Sequence, residues 1–185
     1  YDGGTSAEGT LTLSSADGKT ILSEDAAALE AKGTFTWTSE DAGTNTVNVT
    51  GIALDSQFGD RYELTTSELS KVSCSGAKIK NAKIQNVSVR QMMELTYNGK
   101  EQKPEVAATG STIGGTAITF RYGLTAEQAA DETQALKNAP AFTDAGTYTV
   151  YYTASAANHD SVSGSFEIKI KNASITGVDA AGYTG

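Results

Sequence analysis

The sequence predicts an all-β protein built from two tandem sandwich domains with short helical turns in the inter-strand loops. Three observations carry this. First, Asp41-Ala42-Gly43-Thr44-Asn45-Thr46-Val47 returns as Asp144-Ala145-Gly146-Thr147-Tyr148-Thr149-Val150, and self-similarity at a long period marks tandem copies of one structural unit. Second, a shorter phrase occurs as Tyr1-Asp2-Gly3, Tyr97-Asn98-Gly99 and Tyr183-Thr184-Gly185. Third, Thr, Ser, Val, Ile and Tyr alternate in short runs between glycine-rich turns, which suits half-buried strands of a sandwich.

A chain of 185 residues is long enough for two small domains, each with a core but little stability to spare. The expected divisions are 1–80, a domain lacking its opening strand; 81–172, a complete domain; and 173–185, the opening strand of a truncated third repeat. The last follows from the parallel between Asn81-Ala82-Lys83-Ile84-Gln85-Asn86-Val87 and Asn172-Ala173-Ser174-Ile175-Thr176-Gly177-Val178.

In the first domain residues 10–13 alternate and predict a strand, followed by a turn at 16–19. Residues 23–30 suit one or two helical turns. Residues 34–38 predict a strand with Phe35 and Trp37 on one face, and 45–50 another with Val47 and Val49 inward. Residues 62–65 predict a fourth strand. The small and charged stretch 73–83 predicts the domain boundary.

In the second domain strands are expected at 84–89, 94–97, 104–108 and 116–122. Asn98-Gly99 is a hairpin-type turn signal between strands. Residues 125–138 predict a short helix with Thr125 as its N-cap, closed by Pro140. Residues 147–154 and 163–171 predict the last two strands. Strict alternation puts Tyr148, Val150 and Tyr152 on one face of the first and Phe166, Ile168 and Ile170 on one face of the second.

The repeated Asp-Ala-Gly phrase has a physical reading. Asp41 and Asp144 start turns by bonding backbone amides, and Gly43 and Gly146 supply a positive φ. Tyr148 lies two positions before inward Val150, where an immunoglobulin-like sandwich places its tyrosine corner. Asn45 stands at that position in the first copy, so its turn must be closed differently.

The runs Leu95-Thr96-Tyr97-Asn98-Gly99-Lys100-Glu101-Gln102-Lys103-Pro104 and Pro140-Ala141-Phe142-Thr143-Asp144-Ala145-Gly146-Thr147-Tyr148-Thr149-Val150-Tyr151-Tyr152 resemble the MBG-type repeats of large Gram-positive surface proteins. The first domain, with its Tyr-Asp-Gly start, resembles the related YDG-type repeats more loosely. The resemblance implies extracellular, wall-attached or secreted proteins with many tandem immunoglobulin-like β domains and adhesin-like roles. It implies no catalytic residues and no cofactor. The expected function is a non-catalytic stalk or spacer, with a binding module for host glycoprotein or polysaccharide as the alternative.

Composition narrows the partners. The net charge of −8 leaves no basic stripe to displace counterions from nucleic acid or to hold an anionic membrane. No apolar run of membrane-spanning length is present. Cys74 is the lone cysteine, so no intrachain disulfide forms, and it reads as a small, partly buried residue. His159, the lone histidine, reads as a solvated loop residue rather than a catalytic one, since no nucleophile elbow accompanies it.

No metal site is predicted. Calcium is the alternative at Glu40-Asp41, at Asp55 with Asp60, and at Asp131-Glu132, but none has the spacing of a calcium loop, and turn-capping carboxylates explain them as well. Glycan binding would use exposed aromatics. The candidate ligand-facing residues are Trp37, Tyr122 and Tyr151, of which Tyr151 is out of phase with the inward set and faces outward. A Lys–Asn isopeptide bond would draw on Lys100 or Lys103 with Asn172 and a buried Glu167. The tail 173–185 is expected to be disordered or to pair with an exposed sheet edge, giving strand-exchange self-association.

Overall fold

The computed structural model describes residues 1–13, 21–26, 28–64, 72–177 and 182. The chain is mainly β and divides into two compact units, residues 1–81 and 82–185. Each has its own strands and its own buried residues.

Unit 1 is a four-stranded antiparallel sheet in the order β1-β2-β3-β4. The strands are β1 (Ser6–Ala7), β2 (Ala31–Trp37), β3 (Gly43–Leu54) and β4 (Ser73–Ile79). Alternation does what the sequence requires of it. Gly33, Phe35 and Trp37 of β2 are half-buried while Lys32, Thr34 and Thr36 are exposed, and Val47 and Val49 of β3 are buried. Among the described residues this unit holds one sheet, so the two-sheet sandwich expected for it is not seen there.

Three local expectations in unit 1 are corrected. Residues 10–13 form no strand, because the chain pairs earlier, with Ser6 opposite Thr36 and Ala7 opposite Phe35. It then crosses close over β2, where Cβ atoms built at Gly9 and Gly33 would meet Phe35 and Leu11 side chains respectively. Residues 62–64 also form no strand. Tyr62 closes a 3-10 turn (Ser56–Phe58) by bonding Phe58 O at 3.0 Å. Ser73–Ile79, expected as linker, is a strand against β3. Its extra residue Gly76 has φ +78 and forms the bulge opposite Asn45 and Thr46, a conformation glycine adopts without a Cβ penalty. The expected turn at 16–19 and Thr65 lie outside the described residues.

The helical turn α1 (Ser23–Ala26) is anchored by a buried carboxylate. Asp25 is 5% exposed and accepts from Arg61 Nη1 at 2.8 Å and from the Tyr62 hydroxyl at 2.8 Å. Burial and the bond to Asp25 push the Tyr62 phenol up from its ordinary pKa. A buried carboxylate is tolerated when such donors replace its water.

Unit 2 has two layers. The larger is a sheet in the order β7-β12-β10-β9, from β7 (Leu95–Thr96), β12 (Val162–Lys171), β10 (Gly146–Ser155) and β9 (Thr119–Gly123). The smaller pairs β6 (Gln85–Gln91) with β8 (Val106–Ser111). A short parallel pair joins β5 (Ala82–Lys83) to β11 (His159–Asp160). The core lies between the layers. Tyr122, Val150, Phe166 and Ile168 are buried, with Val89 and Val106 of the small sheet packed on them.

Gln91 joins the layers through its amide. It donates to Lys169 O at 3.2 Å and accepts from Lys169 N at 2.8 Å, so one side chain stands in for a strand neighbour. Thr125 caps α2 (Ala126–Ala130), accepting from Gln128 N at 3.1 Å. The helix is far shorter than 125–138, because Asp131 then accepts from Thr133 N at 2.8 Å and folds the chain into a turn. Asn98-Gly99 does form a turn, with Gly99 at φ +70 and Lys100 N bonded to Asn98 Oδ1 at 2.9 Å. It does not make a hairpin, since β7 runs parallel to β12 and Gln102 bridges to Phe142. Residues 172–177 are irregular and exposed, and most of the tail beyond them lies outside the described residues.

Candidate functional site

The repeated phrase closes its turn in the same way in both units, with different side chains. The Tyr148 hydroxyl donates to Asp144 O at 2.8 Å, four residues back, as a tyrosine corner does. Asn45 Nδ2 donates to Asp41 O, also at 2.8 Å. The Tyr148 ring stacks on Phe142 with centroids 3.9 Å apart, so the corner is tied to the core as well as to the backbone. Asp41 Oδ2 accepts from the Ser39 hydroxyl at 3.3 Å.

The two glycines of the phrase differ. Gly43 has φ +130, whereas Gly146 lies outside the positive-φ region, contrary to expectation. Both open a strand as ladder residues, Gly43 opposite Ile79 and Gly146 opposite Ile170, so the positive φ is a property of the first turn alone. Gly43→Ala is expected to destabilise unit 1 by about 1–3 kcal/mol through backbone strain, and Gly146→Ala by under about 0.5 kcal/mol, as urea midpoints will report. Tyr148→Phe should cost unit 2 about 1 kcal/mol, the net worth of one such bond, with the Phe142 stack retained. An unchanged melt would remove the corner from the account.

Of the three aromatic candidates, the structure keeps one on an open surface of unit 2. Tyr122 is a correction: it is 6% exposed and packs edge-on against Phe166 at 6.2 Å. It faces inward because it pairs with inward Tyr152, and burial raises its phenol pKa. A residue so placed cannot stack on a ligand. Trp37 is half-buried in unit 1, at a shallow pocket of about 210 Å³ with Tyr1, Asp2 and Lys80. Tyr151 lies on the outer face of β10, opposite Ser165 of β12 and Gly123 of β9.

Around Tyr151 is a groove of about 250 Å³ lined also by Tyr152, Ala126 and Ser163 to Ser165. Every lining side chain is neutral. The Ser163 hydroxyl is already shared with Thr153 Oγ1 at 3.0 Å. Helix α2 supplies one wall because Gly123 lets it approach: a Cβ there would lie 2.6 Å from Ala129 N. An aromatic face beside hydroxyls suits stacking on an apolar sugar face with hydrogen bonds around it. Ser163, Ser165 and Ala126 were not foreseen, since cross-strand register and helix docking place them.

The other candidate chemistry falls to structural roles. His159 is 6% exposed, not solvated. Its Nε2 accepts from Ile113 N at 3.2 Å and its Nδ1 contacts Ala157 O at 2.7 Å, so it braces the turn after β8. Cys74 is exposed on edge strand β4 rather than partly buried. Asp55 caps the 3-10 turn through Gln57 N and pairs with Lys32 at 3.5 Å. The Asp131 carboxyl is held below its ordinary pKa first by the Thr133 hydroxyl, and Glu132 pairs with Arg121 at 2.8 Å. Among the described residues no group of three or more His, Cys, Asp or Glu is placed to hold a metal. Glu167 is exposed, so the buried acid that an isopeptide bond needs is missing from the set considered. No described helix is long and apolar enough to cross a membrane.

No protein-family model matches the chain, and no curated protein matches it. The likeness to surface-protein repeats therefore rests on the quoted residues alone.

Proposed function

We propose that the chain is a non-catalytic repeat region of a bacterial cell-surface or secreted protein, acting as a stalk or spacer in an adhesin-like protein. In this reading both units are immunoglobulin-like domains of the MBG and YDG type, displayed outside a Gram-positive cell. The observation that carries it is the duplicated turn, closed in each unit by a side chain donating to the carbonyl four residues back. Duplication of a purely structural device is what a spacer needs. Each added domain requires only its own core and a short junction.

The groove at Tyr151 favours a second reading, a binding module for host glycans or glycoproteins. One screen separates the two. The whole chain and a Tyr151→Ala variant are tested against immobilised glycans and mucins. The spacer reading expects no saturable binding by either. Saturable binding weakened by roughly tenfold or more in the variant would replace it with the binding module and locate the ligand on β10. A third property belongs to the same proposal: self-association through the tail, whose strand pattern is uncovered in unit 2.

A further inference from the structure

Strands β8 and β9 each present an open edge, and the two edges border one groove. Among the described residues β8 pairs only with β6. β9 pairs with β10 and is bridged on its other side only at Tyr122, by Leu136. Ladder phase tells which backbone groups face the opening. Glu105 O accepts from Met92 N at 2.9 Å, so Glu105, Ala107 and Thr109 turn toward β6 while Ala108 and Gly110 turn their N–H and C=O away from it. Tyr122 bonds Leu136 in both directions at 2.8 Å, so Phe120, two residues earlier, also directs its polar groups outward. The groove between these edges is about 470 Å³, with Ile118 and Phe120 beneath and the hydroxyl-bearing Thr109, Thr112 and Thr116 along it. No charged side chain lines it. An open edge beside an apolar floor is a template for an added strand.

The tail has the matching pattern. Asn172, Ser174 and Thr176 alternate with Ala173, Ile175 and Gly177, an uncharged stretch in a chain of net charge −8. Uncharged strand and uncharged groove meet with no charge to desolvate. Ile175 is 86% exposed, whereas Ile84, its counterpart in the repeated phrase, is 5% exposed. Within its own unit the tail cannot bring Ile175 to Phe120. It leaves β12 after Lys171, at the end where Ile170 pairs with Gly146, while Phe120 pairs with Ala154, opposite Val162 at the far end. That is about 27 Å of strand, and six residues span at most about 21 Å.

We infer that residues 172–177 of one copy add as a strand to the β8 edge of a second copy, with Ile175 against Ile118 and Phe120. This rests on the tail-mediated self-association proposed above and names its receptor. The donor strand and the receiving edge are different surfaces, so copies can exchange tails in a closed dimer or add successively in longer assemblies.

Analytical ultracentrifugation of the whole chain over a concentration series tests this. The wild type is expected to grow beyond monomer with concentration. Ile175→Asp, at an exposed position, should weaken association by about tenfold or more. Ala108→Pro removes an N–H that faces the groove without touching the β6 ladder, and should do the same. Thr116→Lys, which puts a charge at the rim, serves if the proline variant melts early. A monomeric wild type overturns both this inference and the tail reading. Association lost in Ile175→Asp but kept in both groove variants overturns the groove and leaves the tail reading intact. Association kept in Ile175→Asp overturns the role of the tail.

Discussion

Ile168→Ala is expected to destabilise unit 2 by about 2–5 kcal/mol, the range for truncating a buried aliphatic side chain and leaving a cavity. Ile168 is 0% exposed. It stands opposite Tyr148 on β10, in the cluster of Tyr122, Val150 and Phe166. Several aromatic rings around it limit how far the site can collapse, which favours the upper half of that range. With a urea m-value of about 1–3 kcal/mol/M, the midpoint of unit 2 should fall by roughly 1–5 M. The single tryptophan, Trp37, lies in unit 1 and gives an internal control. Circular dichroism should show the early transition while Trp37 fluorescence keeps its wild-type midpoint. A shift no larger than that of an Ile→Val change, about 0.5–1.5 kcal/mol, would mean the two-layer core is wrongly drawn.

Gly123→Ala is the second large effect. A Cβ at this position would lie 2.6 Å from Ala129 N and 3.0 Å from Thr125 O. Both are backbone atoms, so no rotamer change relieves the collision and α2 itself must move. Ala129 is 1% exposed in the docked helix, and lifting it returns apolar surface to water. Overpacking of this kind costs about 1–3 kcal/mol. Gly177→Ala, where nothing lies within 4 Å of the added atom, is the matched control and should melt as wild type. Because α2 also walls the Tyr151 groove, any glycan binding found in the screen should weaken along with stability. A wild-type melt for Gly123→Ala would show that α2 does not dock on β9 as described.

Alternation works on β12 because one face packs into the core cluster and the other stays open: Phe166, Ile168 and Ile170 are buried and Glu167 and Lys169 exposed. It works less cleanly on β10, where Thr153 is buried and Tyr152 only half-buried. There helix α2 packs on the strand, and nothing in residues 146–155 announces it. Tyr122 departs from its expected outward position for a related reason. Its inward direction follows from pairing with Tyr152, and register is a property of two strands.

His159 and Ser73–Ile79 show the limit from another side. His159 lies between an asparagine and an aspartate, a solvated sequence by composition. It is nevertheless buried because the turn after β8, more than forty residues away in the chain, lays Ile113 N on its Nε2. Small polar residues predict linker, yet Ser73–Ile79 becomes an edge strand, since β3 offers a full row of backbone partners and an edge needs little apolar cover.

Sequence alone determined the β character of the chain, the duplication of its Asp-Ala-Gly phrase and the inward faces of its longest strands. These depend on side-chain period and local turn chemistry, both written in consecutive residues. Only the tertiary structure decided that Asn45 closes its turn as Tyr148 does, that Tyr151 shares a groove with Ser163 and Ser165 while Tyr122 does not, and that β8 and β9 leave their edges open. Each of these depends on which distant backbone lies alongside, and that is fixed by register and packing between segments rather than by any one segment.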